Sequence, residues 1–332
     1  MKKIINDPNQ VVQDMITGMI SAAPDQLKRV EGTTVIVRKD TPTSKKVGLL
    51  SGGGSGHEPA HAGYIGKGML DAAVLGEVFT SPSVDQVYEG IKAVDSGEGV
   101  FLIIKNYTGD VLNFEMAREL AEAEGIKVAQ VIVNDDVAVE DSSFTTGRRG
   151  IAGTIFVHKI AGAKADLGAS LEEIKNVAEK TVANVRSMGM AISPCTIPAA
   201  GEPSFTLKEN EMEVGIGIHG EPGINRKTIT TANEIATELT ENILEDLKLT
   251  ENDEVAVMIN GLGATPDMEL FIVNKKVQEI LKGKGIKVYR TFVGEYMTAL
   301  EMGGCSVTLL KLDDELKSLL DHPSDAANFL VK

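Results

Sequence analysis

Val47-Gly-Leu-Leu-Ser-Gly-Gly-Gly-Ser-Gly-His-Glu-Pro59 runs a short apolar stretch into a turn that places five glycines between positions 48 and 56, just ahead of His57. The apolar part predicts a buried strand over 47–50, and the carboxyl end of such a strand is where an α/β sheet receives a ligand. Outward from this point, β-branched runs at 34–38, 72–78, 100–105 and 128–133 read as further strands. Between them, 84–94 and 114–124 carry apolar residues at three- and four-residue intervals, with Gly97 and Gly125 just past their ends, so both read as crossover helices. The alternation predicts an α/β protein of two α/β domains, the first with a largely parallel, layered sheet. A helix is expected over 171–188. Pro194, Pro198, Gly201 and Pro203 follow it, which sets the expected domains at 1–190 and 191–332. In the second domain, strands at 212–219, 254–259, 287–293 and 306–311 and helices at 231–247 and 268–281 predict a mixed sheet with flanking helices.

Composition bounds the function classes. The chain has 332 residues, 42% hydrophobic and 24% charged, enough to bury an ordinary core. Its formal charge of -15 argues against a nucleic-acid or anionic-membrane partner, because such surfaces are bound by clustered Lys and Arg. Cys195 and Cys305 lie far apart with no Cys-x-x-Cys spacing, so neither a disulfide framework nor a thiolate metal site is indicated. Asn6, Asp7 and Pro8 interrupt the start before a signal-like stretch develops, and no run of about 18 apolar residues occurs. A cytoplasmic protein is expected.

Two familiar readings of the glycine loop fail on spelling. A P-loop needs Gly-Lys-Ser/Thr at its end, and here Gly56 is followed by His57 and Glu58. His57-Glu58-Pro59-Ala60-His61 matches the zinc-hydrolase pattern, which needs both histidines on one helix. Proline is favoured at a first helical position, so the helix is expected to begin at Pro59, leaving His57 outside it and His61 as an ordinary helix residue. No metal is expected on this chain.

Two more constellations carry chemistry. Leu102-Ile-Ile-Lys-Asn-Tyr-Thr-Gly-Asp110 ends a strand in a polar turn with Lys105 and Asp110. Asp110 reads either as a helix cap or as a partner that charges His57 or takes a proton from a hydroxyl. Gly215-Ile-Gly-Ile-His-Gly-Glu-Pro-Gly223 presents His219 in a second glycine-rich turn. There the histidine is either a core residue satisfied by a backbone carbonyl or a nucleophile toward an aldehyde or ketone, its other nitrogen engaged by a carboxylate such as Glu221.

Taken together with Gly147-Arg-Arg-Gly150 and Asn260-Gly-Leu-Gly-Ala-Thr-Pro266, these motifs resemble the substrate-binding subunits of dihydroxyacetone kinases, in the same order along the whole chain. The resemblance implies that His219 holds dihydroxyacetone as a hemiaminal and that His57 and Asp110 do acid-base work at its hydroxyls. It also implies that Gly54, Ser55, Gly56 and Lys105 line the pocket. The chain stops where ATP-dependent relatives continue into a nucleotide-binding region, so the resemblance is to the bacterial form. That form is a homodimer with no cofactor of its own. Its phosphoryl donor is a separate subunit bearing ADP and Mg, recharged indirectly by a phosphoprotein of the phosphotransferase system. Arg148 and Arg149 read either as a docking point for an acidic partner or as a solvated turn. A different class stays in view, a paralogue that captures the same ketone and co-activates a transcription regulator.

Overall fold

Two six-stranded sheets face each other across a shared layer of helices in the computed structural model, which describes residues 2–139 and 147–332. The first half supplies α1 (Val11–Ala22), β1 (Leu27–Arg29), β2 (Val35–Arg38), β3 (Gly48–Ser55), the two-residue β4 (Gly66–Lys67), β5 (Ala72–Val78), α2 (Val84–Val94), β6 (Val100–Lys105), α3 (Thr108–Ala123), β7 (Val128–Val133), α4 (Thr154–Asp166) and α5 (Leu171–Asn184). Strand order in the first sheet is β1-β2-β5-β3-β6-β7. The four strands β5, β3, β6 and β7 run parallel, and an antiparallel hairpin closes one edge. The chain passes from β3 to β5 on one side, then crosses through α2 to β6 on the other. The end of β3 is therefore a switch point, where parallel sheets open a crevice for ligands.

The second half supplies β8 (Val185–Ser193), β9 (Glu211–Val214), β10 (Asn225–Thr228), α6 (Ala232–Leu247), β11 (Glu254–Gly261), α7 (Asp267–Gly283), β12 (Lys287–Gly294), β13 (Gly303–Leu312), α8 (Asp314–Asp321), β14 (Ser324–Ala326) and β15 (Phe329–Val331). Its sheet, β10-β9-β8-β13-β11-β12, is mixed, because only β11 and β12 pair in parallel. Helices α2 and α3 cover the outer face of the first sheet, and α6 and α7 cover the outer face of the second. Between the sheets lie α4, α5 and α8, in one apolar core that reaches from Leu49, Phe101 and Ile103 of the first sheet to Met258 and Leu310 of the second. The end of the chain turns back, pairing β14 with β4.

Four sequence expectations need correction. The helix expected over 171–188 stops at Asn184, because 185–193 pairs with β13 and becomes β8, and cross-strand pairing overrides local helical spacing. The strand expected over 212–219 ends at Val214, and Gly215, at φ 76°, opens a loop that carries His219. No α-helix starts at Pro59; the segment forms turns and one 3₁₀ turn at Ala62–Tyr64. Helix α3 starts at Thr108, six residues before its expected start, which puts Asp110 in its first turn. Helix α4 escaped the periodicity analysis altogether. Sandwiched between two sheets, it is buried almost all round and shows no polar stripe.

Candidate active site

Four chain segments converge at the carboxyl ends of β3 and β6. The glycines at the end of β3 allow this approach: a Cβ at Gly53 would stand 2.6 Å from Lys105 Nζ, 3.5 Å from Asp110 Oδ2 and 3.7 Å from His61 Nε2. Any side chain there would occupy the space in which these groups meet.

His57, just past β3, is fully buried. Its Nδ1–H donates to the carbonyl of Thr298 at 2.7 Å. A carbonyl only accepts, so the proton sits on Nδ1 and Nε2 is left with a bare lone pair and no hydrogen-bond partner. Burial holds the His57 pKa well below its usual value, and His219 and Lys105 push it the same way, so the ring is neutral. It stacks on Phe79 at 5.0 Å and meets the edge of His219 at 4.7 Å.

His219 stands in the loop after β9, with Phe79 and Tyr107 edge-on to its ring at 5.2 and 4.6 Å. Its Nδ1 lies 2.8 Å from Glu221 Oε1, and its backbone N–H donates to Glu221 Oε2, also at 2.8 Å. Burial pushes the Glu221 carboxyl up, but His219 and Arg149 outweigh burial and hold it down to about 2, so it is ionised. An ionised carboxylate only accepts, so the His219 Nδ1 that faces it carries a proton.

Lys105 ends β6 fully buried, 3.8 Å from Asp110 Oδ2 and 3.3 Å from His61 Nε2. Burial lowers its pKa, which Asp110 and Glu221 partly offset. Asp110 thus pairs with Lys105; no hydrogen bond joins it to His57 among the described residues. Gly54 backs onto the Phe79–Thr80 backbone, Gly56 onto the Phe79 ring, and Ser55 Oγ donates to the Gly76 carbonyl at 2.7 Å. These three residues support the wall, with the Ser55 hydroxyl turned away into the sheet.

Several site residues were missed or misread from sequence. His61 is not an ordinary helix residue: it precedes the 3₁₀ turn and is buried, with Nδ1 2.9 Å from Nε2 of His158 on α4. Burial, with Lys105 nearby, lowers the pKa of His158 to about 3. Arg149 is no docking residue either. It is wholly buried, joined to Asp136 by Nη2 at 2.7 Å and Nε at 2.8 Å, and donates to the Gly215 carbonyl at 2.7 Å, beneath the His219 loop. Arg148 pairs with Asp246. Phe79 and Tyr107, which wall the two imidazoles, stood in the sequence with no feature to mark them. Among the described residues, no group of three or more His, Cys, Asp or Glu is placed to hold a metal, and no helix is long and apolar enough to cross a membrane.

Comparison with known proteins adds independent evidence. The Dak1 domain model matches residues 17–328. The dihydroxyacetone-binding subunit of PTS-dependent dihydroxyacetone kinase 1 of Listeria innocua is 58% identical over 315 residues, covering 95% of each chain. The corresponding subunit of Lactococcus lactis is 52% identical, covering 96% of each. Among solved structures, the dihydroxyacetone kinase of C. freundii in complex with AMP-PNP and Mg2+ superposes with a TM-score of 0.92 at 37% identity, over 99% of this chain and 61% of that one. A dihydroxyacetone kinase operon co-activator superposes with a TM-score of 0.91 at 36% identity, over 98% of this chain and 99% of that one.

Proposed function

The chain belongs to the Dak1 domain family, and from that premise we propose that it is the dihydroxyacetone-binding subunit of a multi-component dihydroxyacetone kinase, working in the cytoplasm as a homodimer. The observation that carries this reading is the pair of facing imidazoles, each with a protonated Nδ1 held by an acceptor, the Thr298 carbonyl for His57 and the Glu221 carboxylate for His219. Nε2 of His219 bonds to the carbonyl carbon of the ketone, and the π pair moves onto oxygen. Nδ1 gives up its proton by way of Glu221 to solvent, and the former carbonyl oxygen takes one proton from solvent, so a hemiaminal forms with no loss of water. Glycerol has no electrophilic carbon and is refused by chemistry rather than by shape.

Asp110, with His57, then takes the proton of a terminal hydroxyl as that oxygen bonds to phosphorus. The bond from phosphorus to the donor breaks, and dihydroxyacetone phosphate leaves. The phosphoryl group comes from an ADP-bearing partner subunit, which also holds Mg and is itself recharged through a phosphoprotein of the phosphotransferase system. Lys105, paired with Asp110, and the backbone of Gly54, Ser55 and Gly56 line the pocket.

Native mass spectrometry tests the capture step. Dihydroxyacetone should add its whole mass to the protein, glycerol should add nothing, and His219→Ala should abolish the adduct. Equal occupancy by glycerol, or an adduct that survives in His219→Ala, overturns it. The likeness to an operon co-activator supports a second reading, capture of the ketone as a signal to a transcription regulator. Phosphorylated product in the presence of the donor subunit decides for the kinase; tight binding to a regulator without turnover decides for the sensor.

A further inference from the structure

We infer that Asn260, through the 296–298 segment it clamps, fixes the proton of His57 on Nδ1 and is a positioning residue for that base. The catalytic meaning of this assignment rests on the kinase reading, whereas the hydrogen-bond geometry stands without it.

Asn260 is the penultimate residue of β11 and is buried. Its Oδ1 accepts from the backbone N–H groups of Tyr296 at 2.8 Å and Met297 at 2.9 Å; its Nδ2 donates to the Met297 carbonyl at 2.8 Å and to Ser306 Oγ at 3.1 Å. An amide side chain has two acceptor lone pairs and two donor hydrogens, so every one is in use. The next residue, Thr298, grips the glycine loop three times. Its N–H donates to the His57 carbonyl at 3.2 Å, its Oγ1 donates to the Glu58 carbonyl at 2.8 Å, and its carbonyl accepts the His57 Nδ1–H at 2.7 Å. Leu300 N–H adds a bond to the Gly56 carbonyl at 2.7 Å.

This explains a motif that sequence alone marked only by resemblance. In Asn260-Gly-Leu-Gly-Ala-Thr-Pro266, Asn260 supplies the clamp. Gly263, at φ 117°, lets the clamped segment lie close, since a Cβ there would stand 1.7 Å from the Leu300 carbonyl oxygen. A leucine at 260 would orphan two buried N–H groups and a carbonyl; an aspartate would keep both acceptor bonds and lose both donations. Once the segment drifts, nothing holds the His57 proton on Nδ1. A proton moved to Nε2 blocks the nitrogen that stands bare in the native arrangement.

Histidine-selective 15N NMR of the full-length protein tests this directly, with the His57 signal assigned by its loss in His57→Gln. The wild type should show His57 protonated on Nδ1 and bare on Nε2. Asn260→Asp should shift it toward a mixture of tautomers and lower kcat about tenfold or more, a share of what a positioned base contributes, while the ketone adduct on His219 persists. Ser306→Ala, which removes only the outer donation, should keep the wild-type tautomer. A wild-type His57 protonated on Nε2 overturns the assignment, and this holds even if Asn260→Asp fails to fold. So does Asn260→Asp with unchanged tautomer and kcat. If the tautomer shifts as expected in a protein that never phosphorylates the ketone, the kinase reading fails and the role of Asn260 stands.

Discussion

His57 and His219 face each other at 4.7 Å, each with a proton on Nδ1, and they differ in what receives that proton. For His57 the acceptor is a neutral carbonyl in a fully buried setting, so the ring is locked in one tautomer and kept uncharged. For His219 the acceptor is an ionised carboxylate, and its side chain retains 20% of its exposure. A neutral acceptor fixes a proton; a charged one can also take it. The first arrangement suits a base that must stay bare on one nitrogen, the second a nucleophile that gains positive charge as it bonds to carbon.

The sharpest way to break this division is at the proton-accepting side. Asp110→Asn keeps the shape of the Lys105 contact and removes the charge, and turnover should fall by about 10²- to 10⁴-fold while the ketone adduct on His219 remains. Steady-state kinetics beside native mass spectrometry checks both halves. Unimpaired turnover would show that Asp110 is not the base. A second test lies under the nucleophile: Glu221→Gln keeps an acceptor for Nδ1–H without the charge, and should weaken adduct formation about 10- to 100-fold. Titration of adduct against ketone concentration measures this. An unchanged titration would mean that the carboxylate orients His219 and does nothing more.

The close approach of groups at the end of β3 is tested by Gly53→Ala, which places a methyl 2.6 Å from Lys105 Nζ. Urea unfolding should show a loss of about 1–3 kcal/mol, with kcat reduced, because the ammonium has to move.

The last effect, and the smallest per pH unit, concerns buried neutrality itself, and His158 isolates it. Its pKa is lowered from an unfolded value near 6.5 to about 3, so below pH 6.5 the unfolded chain binds a proton that the folded one refuses. The wild type therefore loses up to about 1.4 kcal/mol of stability per pH unit through this residue as the pH falls from 6.5 toward 3. In His158→Gln that loss is absent, and the cost of the substitution should shrink on acidification. The comparison of variant with wild type is needed because Asp136 and Glu295, raised by burial to about 6 and about 7, run in the opposite direction. A cost independent of pH would mean that His158 is protonated in the fold.

Much of the first sheet was legible because its parallel strands are short, largely apolar runs, and the two histidine loops stood out for their glycines. What stayed hidden has a common cause, burial from two sides. The helix carrying His158 lies between sheets and has no polar stripe, and β8 borrowed helical spacing until its partner β13 claimed it. Arg149 looked like a surface cation because nothing in Gly147-Arg-Arg-Gly150 reveals that Asp136 will meet it inside. Thr298, held in place by Asn260 through its neighbour Met297, reaches His57 across the join between the two halves, a contact 241 positions apart that no local pattern encodes.

The helix layer between the sheets has a thermal consequence. Because α4 packs its residues into a core shared by Met258 and Leu310 of one sheet and Phe101 and Ile103 of the other, melting either half would strip α4 and expose the apolar face of its neighbour. The two halves have no separate ways to come apart. In a scanning calorimeter the chain should absorb its heat in one endotherm, with calorimetric and van't Hoff enthalpies that agree.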